Sequence, residues 1–517
     1  MSTDWQSIRC SIAFAVMTAA VVFGTGLFSD DFPQIVSLVA LSGSVLPSLF
    51  DLTFGGQADF PVGYWTFALP YHYFGNEWTI GYEILKALYA GVSVWMVARF
   101  MNGYVDEFRA GLIAFTFVLL PNHDATAYFF LGQYLMLSIA GYCYADFQIR
   151  RGKYMVGALF AFLSSFICYG STPVALSLGL LAILEGRYKH VKYLVVPNAV
   201  YVLYYLVVTQ YFHLGHERIP AQLSWQAITQ SYVLQVVTLL DAAIGPSFWL
   251  KIALSISEIS LRSMGIAALG IFGIGALWIP TEKVPNRKLL GALGAMTVSA
   301  LVMFAVTGRY PQIAFGLGDR VSIYGALLVS YWGVTAVKSH TAVVALSAIV
   351  VLAAMGISDH WRAWSASQAT VMHHITNNKA LQLVPLGETV WVTGNQYSRL
   401  RGISHIEFLS EDFVVWSVFE LAMRDQGLSY TVRALNRRHS VEGNFLVDRK
   451  YKTRTELPSV VWVYDSEGDQ LERVKLSELG VRIASLPVER RHWVMFLPDA
   501  WLRRAVIPLM PRLEYAL

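Results

Sequence analysis

The chain has 517 residues, 55% of them hydrophobic and only 14% charged, with a net charge of +4. Soluble domains carry about 25% charged residues, so this balance excludes an ordinary soluble enzyme and argues for a polytopic membrane protein. Cys10, Cys143 and Cys168 all lie in apolar stretches, which leaves no basis for a disulfide framework or a cysteine metal site.

Residues 8–28 form an apolar run about long enough to cross a bilayer. The run is too long for the core of a removable signal peptide and lacks a clear cleavage site. Ser29-Asp30-Asp31-Phe32-Pro33 follows at once. A carboxylate beside lipid is costly to keep, so Asp30 and Asp31 are functional candidates; a helix stop with a surface turn accounts for the same residues. The connection through residue 78 has no Lys or Arg but carries Asp30, Asp31, Asp51, Asp59, His72 and Glu77. The positive-inside bias therefore puts it outside the cytoplasm. Within it, residues 35–46 predict a helix along the interface.

Residues 79–100 predict the second span, where Glu83 and Lys86 share a helical face and can pair. Residues 110–145 are interrupted at Pro121-Asn122-His123-Asp124, and residues 155–185 at Tyr169-Gly170-Ser171-Thr172-Pro173. Each predicts a hairpin whose apex is sunk below the outer surface. Irregular backbone at that depth needs protein or a watery cavity around it, and two dips on one side imply a cavity open to the outside. Arg150, Arg151 and Lys153, then Arg187, Lys189 and Lys192, mark cytoplasmic loops. Residues 193–212 span again, and residues 213–262 predict an outer loop with amphipathic helices. Residues 263–279, 289–307, 321–337 and 341–357 complete the spans, with Arg309, Asp319 and Arg320 in an outer connection.

Charges become frequent from residue 358. Residues 361–378 predict an amphipathic helix leaving the membrane. Residues 389–393, 460–464 and 493–497 predict strands, and residues 412–425 a helix. The expected fold is a polytopic α-helical membrane protein with about eleven transmembrane helices, comprising residues 1–357, and a small C-terminal α/β extracytoplasmic domain, residues 358–517.

The polar residues hardest to explain collect on the outer side: Asp30, Asp31, His72, Glu77, His123, Asp124, Arg309, Asp319 and Arg320. A secondary transporter concentrates ionisable groups near the midplane, on broken helices in repeated halves, and no repeat is evident. A first span ending in Ser29-Asp30-Asp31, a long first outer loop, short paired spans and a C-terminal extracytoplasmic domain resemble the GT-C glycosyltransferases. The resemblance covers residues 1–357. It implies a sugar donor on a polyprenyl phosphate or diphosphate, transfer at the outer face, and an Asp in the first outer loop as base.

On that reading Asp30 or Asp31 takes the acceptor hydroxyl's proton, a role typically worth about 10²–10⁴-fold. Arg309 and Arg320 meet the charge developing on the leaving phosphate; lipid-headgroup anchoring accounts for the same arginines. His72, Glu77, His123 and Asp124 are the cavity and acceptor candidates. No ligand spacing supports a metal, and a divalent cation is not favoured. The expected partners are membrane lipid, the lipid-linked donor and a glycan or lipid acceptor, with no nucleic acid. The expected reaction is an inverting hexosyl or pentosyl transfer in a bacterial inner membrane, with the N-terminus cytoplasmic and the C-terminal domain periplasmic. That domain is assigned to acceptor recognition or a lid. Two alternatives stand beside this: a polymerase or ligase joining lipid-linked glycans, and a lipid or polysaccharide transporter without chemistry.

Overall fold

Among the described residues of the computed structural model, five helical stretches are long and apolar enough to cross a membrane: Thr79–Met101, Tyr188–Tyr211, Trp225–Ser257, Arg287–Thr307 and His340–Asn377. The structure describes residues 2–39, 58–75, 78–214, 224–277, 285–307, 313–424, 427–490 and 493–496. Helices dominate, and a small sheet domain closes the chain.

The helices are, in order, α1 (Ser2–Val22), α2 (Asp31–Val39), α3 (Pro61–Phe74), α4 (Thr79–Met101), α5 (Glu107–Leu119), α6 (Gln133–Arg150), α7 (Tyr154–Ile167) and α8 (Thr172–Leu184). They continue with α9 (Tyr188–Leu206), α10 (Trp225–Ala243), α11 (Pro246–Ser257), α12 (Leu261–Leu277), α13 (Arg287–Thr307), α14 (Ile323–Ala336) and α15 (His340–Asn377). Leu88, Met155, Leu203, Leu269 and Phe272 stand open on helix exteriors, while Ser164, Ser165, Ser177 and Asn198 are buried between helices. A soluble bundle sorts the other way; against hydrocarbon, small and polar residues join helices. Ser177 donates to the carbonyl of Ala292 at 2.6 Å, and Asn198 to Ser171 at 2.9 Å.

Both interruptions expected from sequence are present, as short 3-10 turns at Pro121–His123 and Tyr169–Ser171. The first is closed rather than open to a cavity: residues 121–130 are all buried. Protein cover, the other solution for irregular backbone at depth, is the one used here.

Three elements depart from expectation. Residues 213–262, expected as an outer loop with amphipathic helices, hold two helices whose joint stretch Trp225–Ser257 is by length and composition able to cross. The polar residues that suggested a loop are satisfied internally: Asp241 accepts the N–H and hydroxyl of Ser247 at 3.1 and 2.5 Å, and Lys251 is fully buried. The strand expected at residues 493–497 is a 3-10 turn at Trp493–Phe496, because Trp493 donates its indole N–H to Asp241 at 3.1 Å and so packs beside helices. The helix expected along the interface begins at Asp31, four residues early, and its later part lies outside the described residues.

The last span and the amphipathic helix after it form one unbroken element, α15, of 38 residues. At 1.5 Å per residue it is about 57 Å long, against a hydrocarbon core of about 30 Å. No proline interrupts it near residue 357, and Ser358 is tied to the carbonyl of Val21 at 2.6 Å. A Cβ at Gly356 would strike the carbonyl of Ser255, so α15 and α11 touch closely there. The C-terminal domain thus rides on a stiff continuation of a membrane helix.

Among the described residues that domain has nine strands: β1 (Thr389–Thr393), β2 (Tyr397–Leu400), β3 (Ile403–Glu407), β4 (Thr431–Ala434), β5 (His439–Glu442), β6 (Phe445–Asp448), β7 (Thr453–Glu456), β8 (Val460–Asp465) and β9 (Gln470–Lys475). The main sheet has the order β4-β1-β8-β9, with β1 parallel to β4 and β8. Helix α16 (Asp412–Ala422) covers one face through Val415 and Phe419 against Val390 and Val392. Helix α17 (Leu476–Ser485) covers the other through Leu479 and Ile483 against Trp391, Val461 and Val463. Parallel strands covered on both faces read as apolar runs rather than alternations, which is why β1 and β8 were legible. A second sheet, β5-β6-β7, flanks the domain. The β2–β3 hairpin sends Leu400, Ile403 and Ile406 into the core of the membrane helices.

Candidate functional site

The segment after α1 is bent by Gly24 and Gly26, at φ +82° and +87°. A side chain at Gly26 would collide with Ser365 on α15. The bend aims the amides of Gly24, Thr25 and Gly26 at the carboxylate of Glu83, at 2.8, 3.0 and 2.7 Å. Lys86 pairs with Glu83 at 3.1 Å and also donates to the Thr25 hydroxyl at 2.8 Å and to the Gly26 carbonyl. The ion pair read from its spacing therefore exists, and it clamps the loop that carries the acidic motif.

Asp30 and Asp31 differ sharply. Asp31 is fully buried at the start of α2. One oxygen accepts the N–H of Phe28 at 2.8 Å; the other accepts the Tyr71 hydroxyl and the N–H of Leu131 at 3.4 Å. Burial pushes its carboxyl up to about 7, against the pull of Tyr71, Phe28 and Lys86. Asp30 is half-buried, and its hydrogen-bond partner is Ser29 at 3.5 Å. Burial raises it too, while the charge of Arg320 pulls it down. Asp31 is thus committed to holding α2, α3 and the 131 backbone together, whereas Asp30 keeps lone pairs to offer.

Arg320 lies in the 3-10 turn Leu317–Ser322, half-buried, with its guanidinium 5.9 Å from the ring centre of Phe129. Glu407 and Glu411, from the C-terminal domain, also act on the Asp30 carboxyl. The rings of Phe32 and Phe408 meet at 5.8 Å between the same two parts. Asp30 therefore sits at the seam between the membrane helices and the sheet domain, within electrostatic reach of Arg320.

The other sequence candidates lie elsewhere. Asp124 is at the heart of a separate buried cluster. It accepts from Lys251 at 2.7 Å, His405 at 2.8 Å and the Trp361 indole at 2.7 Å. Lys251 also donates to Asp319 at 2.7 Å and to the carbonyl of Ala314, so its three protons are all committed. Burial keeps Asp319 well above the usual range against the pull of Lys251. The polar groups of this cluster thus satisfy one another, a saturated lock.

His123 is buried and bonds Thr126 at 2.7 Å, closing its own turn. His72 bonds the carbonyl of Leu38 at 3.0 Å and ties α3 to α2. Glu77 and Arg309 lie outside the described residues. Among the described residues no group of three or more His, Cys, Asp or Glu is arranged to hold a metal ion. Where Asp124, Asp319 and His405 converge, Lys251 occupies the centre that a cation would take.

Sequence reasoning missed Lys251, His405 and Glu407 as neighbours of these groups. Lys251 had a signal, as the one charged residue of the apolar helix Pro246–Ser257. His405 had none, since its position depends on how the hairpin docks. No protein-family model and no curated protein matches the chain.

Proposed function

We propose that the chain is a GT-C-type membrane glycosyltransferase, moving a hexose or pentose from a polyprenyl-phosphate carrier to a glycan or lipid acceptor on the outer face. The observation that carries this reading is the juxtaposition of Asp30 and Arg320 at the seam. Asp30 takes the proton from the acceptor hydroxyl, and a carboxyl raised by burial is a better base near neutral pH than an exposed one. Arg320 meets the charge growing on the departing phosphate, where a planar, permanently charged donor is most effective. Direct displacement inverts the anomeric centre. Asp31, Glu83 and Lys86 position the motif without touching substrate.

The same reading carries about eleven spans, a cytoplasmic N-terminus and a periplasmic sheet domain in a bacterial inner membrane. That count takes Trp225–Ser257 as outer helices and draws on apolar helices shorter than a full crossing, such as Tyr154–Ile167 and Leu261–Ala276.

The test is transfer by the full chain in nanodiscs, offered a panel of short-chain polyprenyl-phosphate hexoses and pentoses with membrane-extracted glycan. Asp30→Asn should lower turnover about 10²–10⁴-fold with its fold intact. Asp31→Asn, once shown to be folded, should retain most of it. Undiminished turnover in Asp30→Asn removes the assignment.

A further inference from the structure

The C-terminal domain holds a cavity of about 340 Å³ between β5 and α17, far in sequence from the acidic motif. Arg437, Arg449, Ser440, Val441, Gly480 and Glu489 are among the residues that line it. A volume of this order suits a sugar unit or two.

Its charges are arranged unevenly. Arg438, beside it, spends its charge on Glu411 at 2.7 Å and Asp448 at 2.9 Å. Arg437 and Arg449 do not. Arg437 donates to the carbonyl of Ala484, and Arg449 to the carbonyls of Arg438 at 3.0 Å and Arg437 at 2.5 Å. Among the described residues neither has a carboxylate within ion-pair distance. Two guanidinium groups are therefore held by backbone carbonyls, with no ion-pair partner among the described residues. A preordered guanidinium loses little freedom on meeting an oxyanion. Glu489 on the wall repels an anion from its own side but accepts hydroxyl hydrogens, and the Ser440 hydroxyl does either.

We infer that this cavity binds an acidic sugar, its carboxylate or phosphate on Arg437 and Arg449 and its ring hydroxyls toward Glu489 and Ser440. Binding is independent of the transfer chemistry proposed above; that the sugar belongs to the acceptor glycan rests on it.

Calorimetric titration of the full chain in nanodiscs tests this with glucuronate, glucose 6-phosphate, glucose and inorganic phosphate. The two acidic sugars should bind saturably and glucose should not; whichever of them binds more tightly names the anion. Arg437→Gln and Arg449→Gln should each weaken binding about tenfold. A Cβ at Gly480, on the cavity wall, meets nothing within 4 Å, so Gly480→Phe is the variant chosen to block the cavity and should abolish binding. Arg320→Ala should leave it unchanged. Inorganic phosphate binding as tightly as glucose 6-phosphate would overturn the sugar. Absent binding of both acidic sugars, or binding that survives Gly480→Phe and is lost in Arg320→Ala, would overturn the site.

Discussion

Asp124 and His405 are 281 positions apart and meet at 2.8 Å, both side chains fully enclosed. The N–H of Gly316 donates to Nδ1 of the same imidazole at 2.9 Å, which places the ring proton on Nε2, facing Asp124. One hydrogen bond thereby joins a turn among the membrane helices to a hairpin of the sheet domain. His360 adds a second link, to Ser398 at 2.9 Å, and Arg401 a third, to Glu258 at 3.1 Å.

Replacing His405 by Ala leaves a buried carboxylate oxygen and the Gly316 amide short of a partner. The expected cost is about 1.5–3 kcal/mol. Limited proteolysis should cut the β2–β3 hairpin sooner than in the wild type, and a melting curve should shift down. Unchanged protection would show that the hairpin is held by its apolar side chains alone.

Lys251→Met removes the one cation between Asp124 and Asp319. Breaking a buried pair in this way costs about 3–5 kcal/mol. The double variant Lys251→Met with Asp124→Asn removes the stranded charge as well and should recover a large part of the loss. Equal melting temperatures for the single and double variants would contradict the Lys251–Asp124 pairing described above.

Asp31 predicts a pH dependence. Its folded value of about 7 stands above the ordinary 3.8. The folded state therefore binds the proton more tightly than the unfolded chain. Its stabilising contribution is complete below pH 3.8 and is lost as pH rises toward 7, with a slope of at most about 1.4 kcal/mol per pH unit. Denaturation of the wild type and Asp31→Asn across this window should give curves that diverge as pH rises, the Asn variant being the flatter. Parallel curves would place the titration on another group.

Glu83→Gln keeps an acceptor for the 24–26 amides but loses the charge that holds Lys86. If the clamp positions Asp30, turnover should fall with little change in donor affinity, because the loop wanders while Arg320 stays. Arg320→Lys should do the reverse and weaken donor binding first, since an ammonium lacks the forked donors of a guanidinium. Titrating a polyprenyl-phosphate sugar into each variant separates the two effects.

Much of this architecture was readable along the chain. An apolar run ending in Ser29-Asp30-Asp31, the proline-marked breaks at residues 121 and 173, the Glu83–Lys86 spacing and the apolar strands β1 and β8 are local patterns, and local patterns survive into the folded chain. Lys251 counted only toward the polarity of an expected outer loop, not as a partner of Asp124.

Adjacent residues, by contrast, can be sent in opposite directions by a single bend of backbone. Asp30 and Asp31 are chemically identical in the sequence, and only the positions of Phe28, Tyr71 and Leu131 make one a strut and leave the other open. His405 and Asp124 became partners through hairpin docking, and Arg437 and Arg449 became a charged wall because acidic neighbours turned to Arg438 instead. Hydropathy and spacing set which segments form helices, because burial of apolar surface is a property of the residues themselves. Which carboxylate is free and which cation is uncompensated depends on distances across the fold, and those exist only once the segments have packed.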